Sequence, residues 1–224
     1  MAIQVQGNNG IIADVDGTTF RAIRVTSRPI EYGALGYYRI SAISGTMAAA
    51  LAANSEIWQF RWPDATRFAV VYRISMSAGA NVAATAAALS GFRVTAARAW
   101  TAAGTGGTRQ VLTGNNSKLR TSMGTSLVSD IGISTTALLS PGTKTLDTSD
   151  MGSIAIGIGT GAITTSISLT IMPQTEFLDN NGPSDHPFVF ATNEGYVIRS
   201  NIIMPATMTW HFAVNTSWAE VAAF

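Results

Sequence analysis

Apolar and polar residues alternate with a period of two along much of the chain, most clearly near the C-terminus. There Met208, Trp210, Phe212 and Val214 point one way and Thr209, His211, Ala213 and Asn215 the other. A two-residue period is the geometry of a strand with one buried face. The same pattern sets Phe68, Val70, Tyr72, Ile74 and Met76 opposite Arg67 and Arg73, and Phe92, Val94, Ala96 and Trp100 opposite Arg93 and Thr95. Such segments read as antiparallel strands with one wet or partner-facing side. Further strands are predicted over 20–26, 37–43, 57–62, 153–158, 164–171, 188–191 and 196–203. Turn chemistry separates them: Asp16-Gly17, Gly104-Thr105-Gly106-Gly107, Pro141-Gly142, Asn181-Gly182-Pro183 and Asn193-Glu194-Gly195.

Many short strands with this punctuation predict an all-β fold, an antiparallel β-sandwich of jelly-roll-like form. Helix signals are thin. Leu119, Met123 and Leu127 have i, i+4 spacing, but Gly124 and the surrounding Ser and Thr weaken it, so at most one short helix is expected. Periodicity leaves the Ala-rich stretch 82–89 open between helix and strand. Residues 104–149 read as a Thr/Ser/Gly-rich loop region. Residues 1–19, polar and rich in Gly and Asn, read as an extended N-terminal arm, and 20–224 as a single sandwich domain, which suits a chain of 224 residues.

Charge changes the picture. Only 12% of residues are charged, about half the ~25% of ordinary soluble domains, and of 14 cationic residues only Lys118 and Lys144 are lysine. Arginine is planar, weakly hydrated and tolerant of partial burial, and interfaces favour it over lysine. A GC-rich genome would raise the Arg/Lys ratio without lowering total charge. The composition therefore predicts a homo-oligomer, with a trimer as one candidate arrangement. A net charge of +1 without a basic block predicts no nucleic-acid partner. The absence of cysteine excludes disulfides and thiolate metal sites. The first ten residues hold neither a basic residue nor an apolar run, so no secretory signal is expected and the product is expected to be made in the cytoplasm. The longest strongly apolar run, Met47 to Ala53, is far short of the ~20 residues a spanning helix needs, so no membrane partner is expected.

The sharpest enzymatic motif is Asp14-Val15-Asp16-Gly17-Thr18, which resembles the first motif of haloacid-dehalogenase-type phosphatases. The resemblance implies Asp14 as nucleophile and Asp16 as acid/base, with Asp147 and Asp150 imitating the acidic pair; the βαβ body it requires is not predicted. Gly157, Gly159 and Gly161 form a G-x-G-x-G run with no helix after it to hold a pyrophosphate. Residues 179–186 carry oxygen ligands, but Gly182 falls too early for an EF-hand loop. His186 and His211 are the only histidines and neither has triad company, so both read as structural. No catalytic residue, cofactor or metal is expected. The candidate interface residues are Ile3, Val5, Tyr37, Tyr38, Arg39, Arg61 and Trp62. Ile3 and Val5 alternate with Gln4 and Gln6, a pattern suited to strand addition on a neighbouring sheet edge. Trp62, between Arg61 and Pro63, is expected to be accessible as an interface anchor.

The segments 54–62 (NSEIWQFRW), 114–124 (GNNSKLRTSMG) and 193–199 (NEGYVIR) are similar to a group of tailed-bacteriophage virion proteins, a likeness running through most of the chain. The resemblance implies a role class and no functional residues. The role is a β-sandwich subunit of the virion, with a decoration or cement protein on the major capsid protein as the leading form. A tail or head-fibre protein binding host glycans through exposed aromatics is the alternative.

Overall fold

In the computed structural model, which describes residues 36–160, 169–179 and 186–222, the alternating segments become strands. In chain order these are β1 (Tyr37–Ile43), β2 (Glu56–Trp62), β3 (Phe68–Val82), β4 (Ala88–Ala102), β5 (Thr108–Arg109), β6 (Asp130–Ile133), β7 (Thr143–Ile158), β8 (Leu169–Asp179), β9 (Phe188–Phe190), β10 (Glu194–Ser200) and β11 (Thr209–Val221). All described residues belong to one compact unit, Tyr32–Phe224. The proposed arm over residues 1–19, the strand expected over 20–26, Ile3, Val5, Asp14 and Asp16 lie outside the described residues.

One sheet has the order β1-β11-β3-β8, with β9 also on β3; the other has the order β5-β6-β2-β10-β4-β7. Four antiparallel couples explain both orders: β1 with β11, β2 with β10, β3 with β8 and β4 with β7. They are the rungs of one long antiparallel ribbon rolled up so that alternate couples fall in opposite sheets. That is the jelly-roll arrangement of two Greek keys. β5 and β6 are an excursion between β4 and β7 that widens the second sheet, and β9 is a short addition to the first.

The core between the sheets is aromatic. Trp58, Phe60 and Trp62 of β2 alternate inward and are fully buried, as are Trp210, Phe212 and Trp218 of β11. Phe60 stacks on Tyr196 at 5.2 Å and meets Trp218 edge-on at 5.4 Å, joining the two sheets through ring contacts. Trp58 Nε1 donates to Tyr196 Oη at 3.2 Å, and Tyr196 Oη donates to Thr216 Oγ1 at 2.9 Å, whereas the buried Trp210 Nε1 has no hydrogen-bond partner among the described residues. Burial pushes the Tyr196 phenol well above its ordinary range.

Simple alternation fails at two points, each with a local cause. β3 changes face at a bulge, since Trp218 pairs with Val71 and Ser217 with Arg73, leaving Tyr72 as the extra residue. Ala69 and Val71 therefore enter the core before the bulge, and Ile74 and Met76 after it. β4 turns at Ala99, whose φ of 48° is left-handed.

 A left-handed residue inside a strand swings the next side chain away, so Trp100, expected beside Phe92, Val94 and Ala96, instead packs on the outer face of the second sheet with Ala97 and Val197.

Other expectations need correction. No helix occurs among the described residues. Residues 113–124 form isolated turns broken by left-handed Gly114 and Ser117, and Lys118 bridges to Tyr38 of β1. Within the expected loop region 104–149, residues 108–109, 130–133 and 143–149 are strand. The stretch 82–89 divides between the end of β3, a short connection and the start of β4. β10 stops at Ser200, three residues before its expected end, and β8 runs on to Asp179.

Candidate interaction surfaces

The rolled ribbon reverses at two ends, and the ends differ in chemistry. At the first end lie the connections β1–β2 (44–55), β3–β4 (83–87) and β10–β11 (201–208), together with the end of β7. Residues 44–55, 79–91, 153–160 and 200–210 include no Asp, Glu, Lys or Arg. Ile43, Val82, Leu89, Ile202 and Ile203 are exposed there, Leu89 by 71% and Ile203 by 55%. A shallow recess of about 440 Å³ lies between Ala87, Ala88 and Leu89 on one side and Gly157, Ile158 and Gly159 on the other.

These connections are tied to one another. Met47 N donates to Trp210 O at 2.7 Å, Met204 N to Leu51 O at 2.9 Å, Asn201 N to Gly91 O at 2.8 Å and Thr85 N to Thr207 Oγ1 at 3.0 Å. Beneath them Met47, Leu51, Met204 and Met208 are buried. The end is apolar beneath its backbone, presents aliphatic side chains among uncharged polar ones such as Asn81, Thr85 and Asn201 above it, and is held mainly by main-chain bonds.

The outer face of the second sheet is the opposite case. Asp150 accepts from Thr95 Oγ1 at 2.7 Å and pairs with Arg93 at 3.1 Å and Arg199 at 3.6 Å. Arg98 spans Asp147 at 3.3 Å and Glu194 at 2.6 Å. The register shifts of β7 opposite β4, between Thr95 and Ala97, set Asp147 and Asp150 towards these arginines. Nearer β2, Lys144 Nζ donates to Glu56 Oε2 at 2.8 Å and sits 4.4 Å above the Trp100 ring, and Gln59 Nε2 donates to the same Glu56 oxygen at 2.6 Å. Both ions are almost fully buried. Burial pulls the Lys144 ammonium below the ordinary lysine range despite its partner. Arg109 pairs with Asp130 at 3.0 Å, whose Oδ2 has no hydrogen-bond partner among the described residues; burial raises that carboxyl.

At the second end, the 110–129 connection closes the side of the sandwich between β1 and β6. Arg39 N donates to Ser117 O at 2.9 Å, and Tyr38 Oη to Gly124 O at 3.0 Å. The buried Glu220 carboxylate fastens this segment to β11, accepting from Ser126 Oγ at 2.7 Å, Leu127 N at 2.9 Å and Trp218 Nε1 at 3.2 Å. Burial raises its pKa, and these donors offset only part of the shift. Residues 110–129 include Lys118 and Arg120 and no acid. With the exposed Arg39 they form a basic patch whose side chains make no ion pair among the described residues, flanked by exposed Val111 and Leu119.

The sequence-predicted interface residues do not converge on one surface. Trp62 is fully buried, because β2 turns its even-numbered rings into the core, and its Nε1 donates to Arg67 O at 3.0 Å; the accessible anchor expected there is corrected. Tyr38 is also buried, stacked on Trp218 at 5.6 Å, with its phenol pushed up to about 12, chiefly by burial. Tyr37 is half-buried against Tyr72, and Arg61 is half-buried with Nε donating to Trp100 O at 2.8 Å. Arg39 alone of the described candidates is exposed. Sequence reading missed the charge-free end, although the runs without ionisable residues were visible in it.

The fold and its surfaces define a jelly-roll sandwich with one uncharged end, an ion-laced outer face and a basic patch. No family model matches the chain, and no curated protein or solved structure is significantly similar to it.

Proposed function

We propose that this chain is a non-enzymatic structural subunit of a tailed-phage virion, a decoration or cement protein that self-associates and binds major capsid protein subunits. The observation that carries the reading is the segregation of charge: among the described residues, the connections at one end of the jelly roll bear exposed aliphatic side chains and no Asp, Glu, Lys or Arg, with Arg93 and His211 reaching only its rim at Asn54 and Asn81. Contiguous exposed apolar surface rimmed by polar residues marks a protein contact. The acids that could have imitated a phosphatase pair, Asp147 and Asp150, are each engaged by arginine, which supports a structural role for them. The fibre alternative draws less support, because all five tryptophans are buried and none offers a face to a sugar.

Quantitative mass spectrometry of purified particles carrying this protein tests the reading. A copy number comparable with that of the major capsid protein, and rebinding to particles stripped of it, is the expected result. A few copies per particle, with binding to host cells, would replace it with the fibre.

A further inference from the structure

We infer that the charge-free end is the surface through which copies of this chain meet one another around a rotational axis. The inference rests on the proposed self-association and names its surface and its occupant, a second copy.

Electrostatics selects that occupant. An ordinary protein surface is rich in charge, and docking one on this end would strip water from its ions with no counter-ion opposite. A second copy presents a surface with no Asp, Glu, Lys or Arg over 44–55, 79–91, 153–160 and 200–210. Symmetry makes the same demand, because side chains close to a rotational axis face their own equivalents and a charge there meets its like. The two charged surfaces do not qualify. The second sheet's outer face carries Arg93, Arg98 and Arg199 with their acids, and Arg39, Lys118 and Arg120 would repel their copies across an axis.

The end is also prepared for contact. Its loops are fixed by the Met47–Trp210, Met204–Leu51 and Asn201–Gly91 bonds, so little ordering remains to be done on docking. A Cβ added at Gly157 or Gly159 would meet nothing within 4 Å, so neither glycine answers internal crowding. They keep the recess beside Leu89 open for a neighbour's aliphatic side chain.

The test measures the mass of the full chain by sedimentation velocity across a wide concentration range, for wild type, Leu89→Asp, Ile203→Asp and Leu119→Asp. The first two place a charge on the proposed contact, and the third places one on an exposed aliphatic position of the basic patch. Wild type should assemble, Leu89→Asp and Ile203→Asp should weaken assembly about tenfold or more, and Leu119→Asp should keep the wild-type mass. Thermal melting checks that each variant is folded, with Leu89→Ser and Ile203→Ser replacing any that is not. Assembly unchanged in both end variants, assembly lost only in Leu119→Asp, or a wild type that stays monomeric would overturn the inference. Assembly through this end by a chain that binds no capsid would uphold it and remove the decoration role.

Discussion

The charge-free end and the outer face of the second sheet are built from the same strands, yet they handle polarity in opposite ways. β4 enters at the first end as Leu89, Ser90 and Gly91, and within a few residues carries Arg93, Thr95 and Arg98. Where charge is present it is consumed internally, with Asp150 shared by two arginines and Arg98 shared by two acids. Where it is absent, aliphatic side chains stand exposed. The ions of the outer face are paired with each other, and the connections at the first end are left without Asp, Glu, Lys or Arg. Composition alone suggested that arginine serves contacts with partners; much of it serves contacts within the fold.

The largest test of this contrast lies in the buried pair. Lys144→Ala would leave the Glu56 carboxylate buried without its cation and should cost about 3–5 kcal/mol in chemical denaturation. Replacing both, as Lys144→Met with Glu56→Leu, should recover most of the loss, because paired burial contributes little beyond an apolar filling. A double variant as unstable as the single would show that the pair carries stability of its own.

A smaller effect is expected from pH. The Glu220 carboxyl is raised by burial, so the folded state takes up its proton at higher pH than the unfolded chain does. Its contribution is therefore fully present below the unfolded pKa and lost as pH rises through the folded one. The melting temperature of wild type relative to Glu220→Gln should rise as pH is lowered from neutral into the carboxylate range. A difference that is flat, or that moves the other way, would mean the hydrogen bonds from Ser126 and Leu127 outweigh burial.

The smallest effects belong to the rim. Asp147→Asn removes one partner from the partly exposed Arg98 and should cost only about 0.2–1 kcal/mol, an amount that shrinks as salt is added. Self-association through the uncharged end should hardly respond to the same salt, having no ions there to screen. Association that dissolves as sodium chloride is raised would move the contact to the ionic face and collapse the contrast.

Much of the fold was legible because alternation is a direct record of burial. The β1 span and the faces of Trp210, Phe212 and Val214 follow from it without adjustment. The misses lie where backbone geometry breaks the period. The bulge at Tyr72 and the left-handed Ala99 leave no mark in composition, so β3 was read with the wrong face around it and Trp100 was assigned to the wrong layer. Trp62 was misplaced for another reason: its neighbours Arg61 and Pro63 suggested a surface, but its position on β2 set its direction. The basic patch was only partly legible, because Arg39 is joined to the segment of Lys118 and Arg120 by a hydrogen bond to Ser117 that is distant in sequence.

The pairing of β1 with β11 has a consequence in time. Tyr37 lies opposite Ala219 and Ile43 opposite Ala213, so the first sheet joins segments from nearly opposite ends of the chain. A ribosome must deliver β11 before β1 has its neighbouring strand in the sheet, and until then the edge of β3 that β11 will occupy stands open. Closure of so long a loop precedes any reward from its contacts, which places folding among the slow, non-local β topologies of milliseconds to seconds. The nascent chain must therefore pass through a stage with unpaired edges, and its yield in the cell depends on how quickly the last strand arrives and docks.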